Sequence, residues 1–122
     1  MSPIEHRQDY LIAVCGETIN LQVMFDMLAE IAQTCKQCNY HKALIDLRNA
    51  KGEIRTIDRY DLGKEIAKLI GNSVQIAVVY RSEEIDLFGE NVSVNRGANL
   101  KVFPDTTRAL KWLGVEYARR DD

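Results

Sequence analysis

No apolar run in the chain approaches the roughly 18 residues that a membrane-spanning helix needs. Any membrane contact would therefore be peripheral. The start, Met1-Ser2-Pro3-Ile4-Glu5-His6-Arg7, is polar and lacks the charged and apolar regions of a secretory leader, so a cytoplasmic protein is the expectation. Cysteine is scarce and odd in number: Cys15, Cys35 and Cys38 cannot build the disulfide scaffold of a small secreted protein. Excess positive charge is missing too. Lys and Arg number 16 against 18 Asp and Glu, a formal net charge of -2, without the long-range positive field on which nonspecific nucleic-acid binding relies. There is no Gly-rich phosphate loop, and no His stands near a strand end beside a Ser or Cys other than Cys15, so no activated nucleophile is visible. Linkers, low-complexity tracts and internal repeats are absent as well.

What remains is one core. At 122 residues, with 46% hydrophobic and 28% charged residues, the chain suits a single globular domain that buries roughly two thirds of its unfolded surface. Residues 1–114 form that domain in this reading, and 115–122 a charged tail.

Along the chain the hydrophobic period alternates between two and about 3.6. Tyr10-Leu11-Ile12-Ala13-Val14 predicts a buried strand, with Ile4 to Arg7 as its hairpin partner. Asn20 caps a long helix whose stripe is Leu21, Met24, Leu28, Ile31 and Cys35. Ala43-Leu44-Ile45-Asp46-Leu47 reads as a central strand followed by a charged loop. Thr56 caps a second helix buried through Leu62, Ile66, Leu69 and Ile70, and Val74 to Tyr80 is the next strand. Ile85, Phe88 and Val92 predict a third helix stopped at Gly97, then Leu100-Lys101-Val102-Phe103 a short strand. Asp105 caps a fourth helix carrying Ala109, Leu110, Trp112 and Leu113, closed by Gly114. The expected fold is therefore α/β: a mostly parallel mixed sheet with an N-terminal antiparallel hairpin strand and four helices.

Four segments in this order carry a resemblance. They are Cys15-Gly16-Glu17-Thr18-Ile19; Leu44-Ile45-Asp46-Leu47-Arg48 with Ile57-Asp58-Arg59-Tyr60; Asn95-Arg96-Gly97; and Val102-Phe103 running through Ala109-Leu110-Lys111-Trp112-Leu113. Between Tyr10 and Leu113 the chain resembles the SpoIIAA-like branch of the STAS-type domains. The resemblance implies a small bacterial domain whose fold is shared with anti-sigma-factor antagonists, transporter tails and, more distantly, CRAL-TRIO lipid-transfer domains. Those antagonists are switched by a phosphorylatable serine in an Asp-Ser-Ser/Thr-Gly pattern at the start of the second helix. Here Arg59 occupies the serine position and removes that switch; Thr56, the nearest hydroxyl, reads as a plain N-cap.

Candidate site residues gather at the carboxyl ends of the strands, where open α/β sheets collect ligands. Asp46, Arg48, Tyr80 and Arg81 stand there, joined by Thr56, Asp58, Arg59 and Tyr60 from the second-helix start, as a rim for an anion or a protein partner. The alternative is a solvated loop network in which Asp46 pairs with an arginine or caps backbone N–H groups. Ile57, Leu87 and Phe88 lie off the buried stripes and would line an apolar groove between the second and third helices; ordinary helix packing is the alternative. Cys35-Lys36-Gln37-Cys38 has the spacing of a redox pair, but it lies at a helix C-terminus, where the dipole raises rather than lowers a thiol pKa. With His41 it offers three metal ligands and no completing motif, so neither a metal nor another cofactor is assigned.

These features lead to a noncatalytic, regulatory protein-interaction module, working on a protein partner or on a second copy of itself as a homodimer. The alternative is a small carrier or sensor of an apolar, lipid-like ligand with peripheral membrane association. Nucleic acid is not expected as a partner.

Overall fold

The computed structural model describes residues 4–16, 18–52, 56–80 and 97–115. Five strands form one sheet in sequential order: β1 (Ile4–His6), β2 (Leu11–Val14), β3 (Lys42–Asp46), β4 (Gln75–Val79) and β5 (Asn99–Phe103). β1 runs antiparallel to β2, and every later pair is parallel. This is the mixed sheet with a hairpin edge that the alternating periodicity predicts. Three helices stand among the described residues where four are expected: α1 (Leu21–Cys38), α2 (Thr56–Leu69) and α3 (Thr106–Leu113). The expected helix on Ile85, Phe88 and Val92, and the tail beyond residue 115, lie outside the described residues.

Sequential parallel strands joined by right-handed crossovers must carry their helices on one side of the sheet. α1 and α2 obey this and pack against each other there. Strand alternation supplies their floor: Leu11 and Ala13 of β2, Ala43 and Ile45 of β3, Ile76 and Val78 of β4, and Leu100 and Val102 of β5. Onto it α1 sets Met24, Met27, Leu28, Ile31 and Cys35, and α2 sets Leu62, Ile66 and the following Ile70. The α2 stripe differs from expectation at one residue. Leu69 is 39% exposed, because Leu62, Ile66 and Ile70 already complete the inward face of so short a helix.

α3 covers the opposite face, over β3, β4 and β5, where Leu44, Ala77 and Val79 meet Ala109, Leu110 and Leu113. The Trp112 ring tilts against Phe103 at 5.6 Å between centroids, and its backbone carbonyl accepts from the Gln75 side chain at 3.0 Å. Both fully described helix starts match the sequence. Asn20 accepts from the Val23 amide at 2.9 Å and Asp105 from the Arg108 amide at 2.8 Å, each satisfying an orphan N–H. α3 ends at Gly114 in the left-handed region (φ 75°), where its amide reaches the Leu110 and Lys111 carbonyls.

Candidate functional site

Hydrogen bonding continues past the strand ends and shapes the carboxyl edge of the sheet. The Cys15 amide donates to Asp46 O at 3.1 Å, Leu47 to Val79 O at 2.8 Å, and Tyr80 to Phe103 O at 3.0 Å. A bridge between Thr18 and Lys51, with the Ile19 amide on Lys51 O at 2.8 Å, ties the loop before α1 to the loop before α2. The rim is thus backbone-pinned rather than a set of free loops.

Asp46 and Arg48 meet at this edge. Arg48 Nε lies 2.9 Å from Asp46 Oδ1 and its terminal nitrogen 2.7 Å from Oδ2, a side-on bidentate pair, while the Arg48 amide adds a third donor to Oδ1 at 3.1 Å. Partial burial by itself would push the Asp46 carboxyl up. The side-chain and backbone hydrogen bonds from Arg48, and then its charge, outweigh burial and hold the carboxyl below its ordinary value. Both halves of the loop-network reading are therefore present: Asp46 pairs with an arginine and also caps a backbone N–H.

The first turns of α2 follow the loop that leaves this edge. Ile57 is 66% exposed and Tyr60 45% exposed, and three residues apart they share one helix face. The Lys64 ammonium sits 4.8 Å from the Tyr60 ring centroid, a cation–π contact at the next turn. Asp58 is half-buried in the first turn, where the helix dipole favours negative charge. Thr56 opens the helix as its first residue, one position later than an N-cap, and Arg59 follows in the same turn; their side chains lie outside what the structure describes.

Tyr80 leaves the candidate group. It is fully buried, with its hydroxyl donating to Gly52 O at 3.4 Å, because the alternation through Ile76 and Val78 carries one residue past β4 and turns the ring under α2. Its contribution is to the core beneath the rim. Arg81, Leu87 and Phe88 fall outside the described residues, so of the apolar groove only Ile57 is placed.

Cys35 and His41 line a cleft of about 320 Å³ at the opposite end of the sheet, bounded by the C-terminal ends of α1 and α2. Burial, then the neighbouring Cys38, pushes the Cys35 thiol up to about 11, which keeps it protonated at neutral pH. Cys38 is exposed, and the His41 ring lies 3.3 Å from the Ser73 carbonyl. Among the described residues no three His, Cys, Asp or Glu side chains are placed to hold a metal ion.

The sequence reading passes over Arg7, Tyr10 and Thr106. Among the described residues their Nε, hydroxyl and Oγ1 atoms are buried without a hydrogen-bond partner. The signal for Tyr10 was its phase: with Ile12 it points away from Leu11 and Ala13, toward the α3 face.

No protein-family model and no curated protein matches the chain. Solved structures do. An uncharacterised protein of the DUF3478 family with a SpoIIAA-like fold, from Shewanella loihica PV-4, is 20% identical with a TM-score of 0.55, covering 90% of each chain. An anti-sigma factor antagonist from Mycobacterium paratuberculosis is 16% identical with a TM-score of 0.61, covering 94% of each chain. At such identities the likeness speaks for the fold: the chain has a SpoIIAA-like, STAS-type fold. Among the described residues no helix is long and apolar enough to cross a membrane.

Proposed function

We propose that the chain is a noncatalytic protein-interaction module that binds its partner through the first turns of α2 and the adjoining Asp46–Arg48 rim. The observation that carries this reading is the exposed Ile57–Tyr60 face. Two large apolar side chains stand in solvent on one helix face, one loop further along the chain than an edge whose backbone is pinned and whose Asp46–Arg48 charges are paired. The anti-sigma factor antagonist of like fold supports a protein as the partner. The arginine at position 59 supports binding that is not gated by a serine phosphate.

Ile57→Asp and Tyr60→Ala test the reading, since both alter exposed side chains; the first should change stability by no more than about 0.5 kcal/mol and the second, which also loses the Lys64 contact, by about 1 kcal/mol. Affinity capture from lysate should lose its specific partner with either variant, while circular dichroism stays that of the parent chain. Native mass spectrometry reads the other protein occupant: a dimer mass that disappears in Ile57→Asp would make a second copy the partner. Capture unaffected by both substitutions, or turnover of a metabolite by the purified chain, would overturn the proposal.

A further inference from the structure

Among the described residues the α3 face of the sheet is incompletely covered. α3 rests on β3 to β5, and beside it a trough of about 240 Å³ runs along β2. Its apolar floor is Ile12, Val14, Leu44 and Leu110, with Arg7 and Tyr10 toward the hairpin and Thr106 on the first turn of α3. The strand burial shows the asymmetry directly: Leu11 and Ala13 are buried beneath α1, whereas Ile12 and Val14, on the trough side, are only half-buried.

All three buried side-chain polar atoms that lack a partner among the described residues belong to residues lining this one trough: Arg7 Nε, the Tyr10 hydroxyl and Thr106 Oγ1. Tyr10 is 4% exposed, so bulk water does not readily satisfy its hydroxyl. Leaving such groups unpaired is costly in a folded protein, and their collection in a single concave site is what a binding pocket with convergent polar groups looks like. The chemistry of the atoms constrains the occupant. Arg Nε–H can only donate and the two hydroxyls can donate, so the lining residues carry three donors; the atoms themselves are closed to water, and an occupant reaches them as those side chains turn toward it. A ketone oxygen has two lone pairs to offer, whereas a carboxylate has about four acceptor sites.

Charge narrows it further. Arg7 is already paired with Glu5 at 3.1 Å and Arg48 with Asp46 at 2.7 Å, so the lining is balanced and unsuited to a multiply charged anion. The first turn of α3 brings the positive end of a helix dipole to Thr106, where the Asp105 cap already offsets part of it, so the site has room for no more than one further negative charge. The volume is below the roughly 300 Å³ at which drug-sized pockets begin.

We propose that this trough is a binding site for a small monocarboxylate with an apolar body, its carboxylate held by Arg7, Tyr10 and Thr106 and its tail laid on Ile12, Val14, Leu44 and Leu110. The floor of the trough lies on the sheet face opposite α2, and the trough shares only Asp46 and Arg48 with the proposed partner surface, so Ile57→Asp and Tyr60→Ala, which abolish partner capture, should leave octanoate binding intact.

Octanoate is the probe, with octanamide and inorganic phosphate as comparators, followed by amide NMR shifts on the full chain. Octanoate should shift the Ile12, Leu44 and Thr106 amides saturably, with octanamide about tenfold weaker and phosphate without effect there. Tyr10→Phe should weaken octanoate about tenfold, as loss of a hydrogen bond to a charged group does, yet leave the unliganded Tm unchanged or raised, because it removes an unsatisfied hydroxyl. Thr106→Val provides an independent arm with the same two expectations. Octanamide or phosphate equal to octanoate, shifts that ignore both variants, or a Tm of Tyr10→Phe more than about 3 °C lower would each overturn the proposal, the last by showing that the hydroxyl is structural.

Discussion

The two faces of the sheet are made from the same strands and finished differently. Beneath α1 and α2 the inward side chains are almost all buried, and Tyr80, the largest of the fully buried ones, has a carbonyl for its hydroxyl. Beneath α3, an eight-residue helix spans only part of the sheet, and Tyr10 is buried without such a partner. Among the described residues each face thus buries one tyrosine, one with a partner for its hydroxyl and one without. The difference separates stability from function. The α1/α2 face is where apolar burial and satisfied polar groups hold the fold together, and the α3 face is where unsatisfied polarity can be exchanged for a ligand at little structural cost.

Truncations on the two faces sharpen that contrast most strongly. Leu28→Ala, in the middle of the α1 stripe, should cost about 3 kcal/mol in urea unfolding, through lost burial and the cavity left behind. Ile12→Ala, half-buried on the other face, should cost about 1 kcal/mol. Equal losses would break the distinction.

A smaller effect is expected at the carboxyl edge. Arg48→Ala should cost about 1 kcal/mol at neutral pH, a modest figure because half of the Arg48 side chain is in solvent. The sign of its pH dependence follows from Asp46. With Arg48 present, the folded carboxyl lies below its ordinary value, so its contribution is present at neutral pH and is lost as pH falls through the lowered folded value. In Arg48→Ala the residue-48 amide still donates, but the guanidinium hydrogen bonds and charge are gone, so burial is offset less and the carboxyl rises relative to the parent. The gap between variant and parent should therefore narrow as unfolding is repeated toward about pH 3; a gap that widened in acid would contradict the pairing.

The finest test compares the two tyrosines. Tyr80→Phe should cost about 0.5–1 kcal/mol, since it deprives Gly52 O of a donor, whereas Tyr10→Phe should cost nothing measurable. Matching values from thermal unfolding would mean that the two hydroxyls are equally well satisfied.

Most of the architecture was legible because it rests on local signals. Asn20 and Asp105 announce their helices by side-chain chemistry, Gly114 ends α3 through its backbone freedom, and the stripe from Met24 to Cys35 shows the inward face of α1. The candidate rim was legible as a place, and Asp46 and Arg48 do meet there, since two residues separated by one in a tight loop can find each other without tertiary help. Tyr80 belongs to the core although a residue just past a strand looks like loop, because the alternation continues through it. Leu69 stays partly in solvent because the apolar positions of α2 outnumber those its packing needs. The trough was not legible at all. It depends on Arg7, Tyr10 and Thr106 arriving from a hairpin, a strand start and the last helix, and on the share of the sheet that α3 leaves uncovered, neither of which is a local property.

The sheet borders carry a last consequence. β1 is only three residues long and presents Glu5 and His6 to solvent, and β5, bordering the other side among the described residues, alternates exposed Asn99 and Lys101 with its buried positions. Short length and an outward lysine are the means by which natural sheets discourage strand-by-strand growth into a neighbour. Runaway edge-to-edge aggregation is thereby disfavoured at both borders of the described sheet, which leaves its helix surfaces as the better place for a second copy to dock.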